Sequence, residues 1–349
     1  MVLAVAASAD ADRLPLGDGQ ISSEPRRDHV YSCQTRFHGG GAHRSGAWLG
    51  ATSWDPKAKP VVDGRVAWPD AAITISREGR HRIIRANNLP THTTGRFPIS
   101  ASDDAYRFDR NPNAISGQNI LLTLPAEPEI ADRARCVPMG MIGFALSGVA
   151  IFNALDAMGR DAPAYEIQDA CQGHPERSGQ YHYHDYSRCL ADARSQPGGH
   201  SNLVGYALDG FGIYGLYGRQ GVPVTNDDLD DCHGHRHALS QDGAHGPRYH
   251  YHMTREYPYS IGCFRGEPVR VANARGPGQP AGGAGRGQPP PRDREIIERA
   301  ARELGVSPNA LREAVGPPPP DFSRASRMLN LDAESIRRAM DRARREADG

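Results

Sequence analysis

The segment Tyr181-His182-Tyr183-His184 returns as Tyr249-His250-Tyr251-His252, and each copy closes a longer repeated series. "IGFALSGVAIF" from Ile142 matches "VGYALDGFGIY" from Val204, aligning Gly143, Ala145, Leu146, Gly148 and Ile151 with Gly205, Ala207, Leu208, Gly210 and Ile213. A D-x-C-x-G-H series follows in both. It runs through Asp169, Cys171, Gly173 and His174 in the first copy and Asp230, Cys232, Gly234 and His235 in the second. A cysteine, Cys189 or Cys263, ends each copy. Unlike features recurring in one order mark 141–189 and 203–263 as two copies of one structural unit, which we expect to be related by a pseudo-two-fold axis.

Around the repeat the chain reads as β. Runs such as "AAITI", "HRIIRA" and "ILLTL" have strand length and apolar alternation, and "NNLP", "DRNPN" and "PAEPE" supply turn chemistry between them. The expected fold is mainly β: an internally duplicated, disulfide-bonded β-rich domain over 13–270, followed by a small all-α tail of helical repeats. Residues 271–292 form the linker, centred on "GPGQPAGGAGRGQPPP", which has no apolar periodicity to feed a core. In the tail, 293–349, Leu304, Val306, Leu311 and Val315 recur as Leu329, Leu331, Ile336 and Met340 at an offset of 25. Each copy reads as helix, turn, helix, with Ser307-Pro308 and Asp332 placed to cap the second helix. Mixed charge in this tail argues against a DNA-reading helix-turn-helix and for docking a protein partner or spacing.

Composition removes several function classes. Forty-one basic and 41 acidic side chains leave no net charge, so there is no footprint for nucleic acid or anionic lipid. The longest apolar run, "MGMIGFALSGVAIFNAL", is interrupted by Gly140, Gly143 and Gly148 and does not read as an integral membrane segment. Residues 1–12 read as the remnant of a truncated signal peptide, with an apolar run and Ala-Ser-Ala but no basic start. Cys33, Cys136, Cys171, Cys189, Cys232 and Cys263 form an even set without a C-x-x-C pair, which points to three disulfides in a secreted or periplasmic protein. Repeat symmetry suggests Cys171 with Cys189 and Cys232 with Cys263, leaving Cys33 for Cys136; spacing alone does not fix connectivity.

The two boxes and the segments "GYALDGFGIYG" and "YPYSIGCFRG" together resemble the YHYH-domain proteins, mostly secreted bacterial proteins. The resemblance spans about 20–270 and implies a secreted, globular, β-rich domain; it supplies no reaction.

On a strand the tetrapeptide divides its side chains between faces, with His182 and His184 on one and Tyr181 and Tyr183 on the other; His250, His252, Tyr249 and Tyr251 repeat the arrangement. Two imidazoles at that spacing can reach one metal ion, and a pseudo-two-fold can bring the second pair opposite, giving four nitrogen donors suited to zinc or copper. His174 and His235 are the next candidate ligands, and Asp169 and Asp230 are candidates to orient imidazoles. Ten of fifteen histidines lie between 174 and 252, which favours one clustered function. The second copy adds His237 and His245, carries His233 where the first has Gln172, and has Asp209 in place of Ser147. Asp209 reads as a turn residue or a general base.

Three readings remain open: a metal-binding protein, a metal-dependent hydrolase or oxidase acting on an extracellular substrate, and a structural or adhesion module in which the tyrosine–histidine alternation is ordinary sheet packing. No G-x-S-x-G, H-E-x-x-H or phosphate-cradling motif occurs, so neither a nucleophile nor a nucleotide cofactor is indicated, and the sequence does not decide whether the protein is an enzyme.

Overall fold

The structure is a computed structural model that describes residues 13–37, 39–190, 199–238, 247–271, 291–315 and 322–348. Residues 1–12, where a signal-peptide remnant is expected, most of the linker and His245 lie outside the described residues. The chain divides into two units, Met1–Gln279 and Pro280–Gly349.

Eight strands of the first unit form one sheet: β1 (Met141–Ala145), β2 (Ala150–Phe152), β3 (Gly173–Pro175), β4 (Tyr181–Tyr183), β5 (Leu203–Ala207), β6 (Gly212–Tyr214), β7 (Gly234–Ala238) and β8 (Pro247–His252). Their spatial order is β3-β4-β2-β1-β5-β6-β8-β7. Exchanging each strand of the first copy for its partner in the second reverses this order onto itself, as a two-fold requires. The axis can be located: β1 and β5 pair antiparallel with Tyr206 opposite Phe144, the two residues that the repeat makes equivalent. Each half then runs outward by the same steps, an antiparallel β1–β2 or β5–β6 hairpin, a parallel β2–β4 or β6–β8 pair, and an antiparallel return to β3 or β7.

Glycine makes the seam possible. A Cβ on Gly205 would lie 2.5 Å from the Phe144 carbonyl oxygen, and one on Gly143 would lie 3.0 Å from that of Tyr206. Backbone cannot yield as a side-chain tip can, so both equivalent positions are glycine.

The runs expected as strands at 71–75, 81–86 and 120–124 lie in a three-stranded antiparallel sheet of Ile73–Glu78, His81–Ala86 and Ile120–Pro125. Ile84, Ile120, Leu122 and Leu124 join Ile142, Phe144, Ile151, Val204, Ile213 and the four box tyrosines in the main core. Between β2 and β3 lies a single helical turn, α1 (Ala162–Tyr165), capped by Asp161, which accepts from the Ala164 amide. Three disulfides join Cys33 to Cys136, Cys171 to Cys189 and Cys232 to Cys263, the pairing that repeat symmetry suggests.

The second unit contains α2 (Pro291–Leu304), α3 (Pro308–Val315), α4 (Phe322–Leu329) and α5 (Ala333–Asp348). Ile296, Ala300, Leu311, Val315, Ile336 and Met340 are buried together. Ser307 accepts from the Ala310 amide at 3.1 Å and Asp332 from the Ser335 amide at 2.8 Å, the two caps its sequence pattern implies. Among the described residues no helix is long and apolar enough to cross a membrane.

Overpacking the seam tests the symmetry. Gly205→Ala should lower stability by about 1–3 kcal/mol, the usual cost of an unaccommodated core methyl, read from the denaturant midpoint. A loss within about 0.5 kcal/mol would mean the halves do not meet as described.

Candidate metal centres

The boxes lie on β4 and β8, with β2, β1, β5 and β6 between them. Five strand spacings of ~4.8 Å put them ~24 Å apart along the sheet. The expectation that four box histidines converge on one site is therefore corrected: each box builds its own cluster, because the axis lies at the sheet centre while the boxes lie near its two ends.

In the first cluster His174 on β3 sits directly opposite His182 on β4, with His184 two residues further along the chain. Ligand atoms of the three rings all lie within 4.8 Å of one another. The His182 Nδ1–H donates to the Gln180 carbonyl at 3.0 Å and the His184 Nδ1–H to the Asn153 carbonyl at 2.5 Å. Carbonyls only accept, so both Nδ1 atoms carry hydrogen and both Nε2 lone pairs face inward, 3.0 Å apart. Glu166, which follows α1, brings its Oε2 to 3.3 Å from His174 Nε2 and 3.4 Å from His184 Nε2. That oxygen and both His174 nitrogens are buried without a hydrogen-bond partner. Three imidazoles and a carboxylate thus converge with orphaned lone pairs, a donor set that fits zinc or copper.

The fourth donor is held in place from below. The Lys59 ammonium donates to the carbonyls of Pro163 at 2.5 Å and Glu166 at 2.8 Å and to the Gln168 side chain, fixing the turn that aims Glu166. Burial lowers this lysine to about 8, so it stays charged at neutral pH.

The second cluster repeats the pattern with different chemistry. His235 on β7 is opposite His250 on β8, and their Nε2 atoms are 3.1 Å apart. His252 Nε2 lies 2.9 Å from His200 Nε2. The Nδ1–H groups of His250, His252 and His200 donate to the carbonyls of Arg248, Gly215 and Ser201 at 3.0, 2.7 and 2.7 Å. The first two bonds are the repeat equivalents of those made by His182 and His184. His237 packs its ring 4.5 Å from those of His200 and His250.

Burial pushes nearly all these imidazoles toward the neutral form. His174, His182 and His252 fall well below the usual range, His250 to about 2 and His237 to about 4, desolvation leading and neighbouring rings adding in each. His184 is the exception: burial lowers it, but the facing Glu166 carboxylate, together with the Asn153 carbonyl and Asp185, outweighs burial and raises it.

The aspartates and tyrosines occupy the other face. Asp169 accepts from the Tyr181 hydroxyl at 2.9 Å and from the Cys171 amide at 2.8 Å; Asp230 accepts from Tyr249 at 3.0 Å and from the Cys232 amide at 2.9 Å. Neither forms a hydrogen bond to an imidazole among the described residues, so in place of orienting histidines they close turns and satisfy tyrosines. A Cβ on Gly173 or Gly234 would lie 2.3 Å from the Tyr181 or Tyr249 hydroxyl, which is why the D-x-C-x-G-H series needs its glycine. Tyr183 and Tyr251 reach the equivalent positions Ser147, at 3.2 Å, and Asp209, at 2.6 Å. Asp209 also accepts from the Phe211 and Gly266 amides and is buried, the placement of a turn residue. His233 stands in a left-handed turn at φ 74°, bonded to Thr254, as Gln172 does at φ 57° in the first copy. His92 lies near Cys171 and Cys189, whose sulfurs are spent on a disulfide.

Two ligand candidates escape a sequence reading. Glu166 corresponds in the repeat to Asp227, an exposed residue paired with Arg27, so symmetry gives no hint of it. His200 precedes the second copy, where the first has Pro138, and only its place within the histidine-rich stretch points to it.

Tyr181→Phe should destabilise the fold by about 1–3 kcal/mol, because the buried Asp169 carboxylate loses a donor. Tyr249→Phe should cost less, since Asp230 is more exposed; equal midpoints for both variants and the parent would contradict this placement.

Residues 121–223 match the family model described as YHYH protein. No curated protein and no solved structure matches the chain. The matched stretch contains the first box, β4, and the opening hairpin of the second copy, but ends before the second box. This chain therefore carries a YHYH-protein domain at 121–223, followed by a second YHYH box on the same arrangement of strands.

Proposed function

We propose that this is a transition-metal-binding protein holding one zinc or copper ion per box, through His174, His182, His184 and Glu166 in the first and His200, His235, His250 and His252 in the second. The observation that carries this reading is the head-on approach of imidazole Nε2 atoms whose Nδ1 hydrogens are already committed to carbonyls. Two lone pairs about 3 Å apart repel unless a cation lies between them. A shared proton would make one ring an imidazolium. In the first cluster Glu166 could balance that charge, but the second has no carboxylate among its ligands, and burial there opposes protonation. A divalent ion answers all four lone pairs at once.

Export to an oxidising compartment is the companion proposal, supported by three disulfides and a chain in which every described cysteine is paired.

Elemental analysis by plasma mass spectrometry of full-length protein after exhaustive dialysis provides the test. The parent should retain near-stoichiometric metal at each box. His182→Ala with His184→Ala should lose one equivalent, and His250→Ala with His252→Ala the other. A folded parent that takes up no zinc or copper after reconstitution would overturn the reading in favour of sheet packing. Lys59→Met should weaken the first site alone, by roughly 10–100-fold as when other supporting groups of metal sites are removed, because the Glu166 turn loses its buried anchor.

A further inference from the structure

Building on the metal-binding reading, we propose that the two boxes are unequal: the first retains its ion, while the second exchanges it, with His237 serving as a spare ligand that helps the ion leave and enter.

Three differences between otherwise symmetric sites carry this. The first is ligand number. The first cluster brings His174, His182, His184 and Glu166 together. The second gathers four imidazoles whose ligand atoms lie within 4.8 Å of one another, and a fifth, His237, packs beside them with its Nε2 buried and without a hydrogen-bond partner and its ring 4.6 Å from that of His235. Tetrahedral or square sites use four ligands, so one imidazole is always in reserve. The position is particular to this copy: its equivalent is Glu176, whose carboxylate is engaged by the Ser178 and Gln180 amides.

The second difference is charge. Glu166 offsets part of a divalent ion's charge in the first site. Four or five neutral imidazoles offset none, which lowers the Coulombic hold on the ion inside a poorly solvated site. Such an all-nitrogen set takes borderline divalent cations, copper(II) above zinc or nickel.

The third is access. His174, His182 and His184 are all buried, and Phe152 stacks on His182 with ring centres 3.8 Å apart. His200 and His235 are only half-buried. Of the cluster's imidazoles His235 alone borders a shallow groove at the sheet edge, beside Gly234 and Arg236. Exchange then proceeds by substitution: a bond from the ion to His237 Nε2 forms as a bond to another imidazole breaks, and an incoming donor enters from the exposed side. No electron is transferred.

Full-length protein loaded with copper(II), dialysed and challenged with excess nitrilotriacetate supplies the test, with copper remaining on the protein followed by plasma mass spectrometry. The parent should lose copper in two phases, one equivalent each. The fast equivalent should be missing from His250→Ala with His252→Ala, and the slow one from His182→Ala with His184→Ala. His237→Gln should slow the fast phase by roughly tenfold, the change that about 1.4 kcal/mol of added barrier produces, because the ligand whose bond forms as another breaks is gone. His237→Asn replaces it should that variant not fold. A single rate for both ions, a fast equivalent that survives in the second-box variant, or an unchanged fast phase in His237→Gln would overturn the inequality while leaving metal binding intact. A parent that holds no copper would overturn both.

Discussion

The antiparallel contact of Phe144 with Tyr206 is the point from which the rest of the domain is generated. Equivalent residues face each other there only if the two copies are related by a two-fold axis through the contact. Once that pairing forms, every outward step in one half is matched in the other. The boxes are carried to opposite ends of one sheet, and the two imidazole clusters follow from that placement. The Gly143 and Gly205 backbones must approach each other's strands closely, so the contact admits no side chain.

Within each half the tetrapeptide serves two faces of a strand. Its tyrosines enter the main core, where their hydroxyls are satisfied by Asp169, Ser147, Asp230 and Asp209. Burying a phenol without a partner is costly, so the aspartates of the D-x-C-x-G-H series are bound into the tyrosine side of the structure. Its histidines are held on the other face by carbonyls that fix the tautomer. The alternation therefore answers packing on one face and clusters imidazoles on the other: the tyrosine face stabilises the strand that aligns the histidines.

The two copies share the scaffold while the residues clustered at each box differ. The hydrogen bonds from His182 and His184 to residue 180 and Asn153 reappear from His250 and His252 to residue 248 and Gly215. The remaining donors come from unrelated places: Glu166 beyond α1, anchored by Lys59, and His200 ahead of β5. A carboxylate in one cluster and an additional imidazole, His237, beside the other are differences in charge and composition laid on one geometry.

The duplication, the strand runs at 71–75, 81–86 and 120–124, the capped helices of the tail and the shared face of His182 and His184 were legible from the sequence, and repeat symmetry suggested the disulfide pairing without fixing it. Each depends on local periodicity or on comparing one copy with the other. Which histidines meet was not legible. A period of two sets the face of a strand but not its place in the sheet, and only the position of the axis decides whether two boxes share an ion or stand ~24 Å apart. Glu166, His200 and Lys59 lie outside the repeat's matched positions and reach the clusters through turns, so their roles arise only when the tertiary structure closes around them. The sequence alone determined a two-fold β domain with imidazoles on one face of each box; tertiary structure decided that these make two sites of different charge, because long-range packing chooses the donors that neither periodicity nor symmetry specifies.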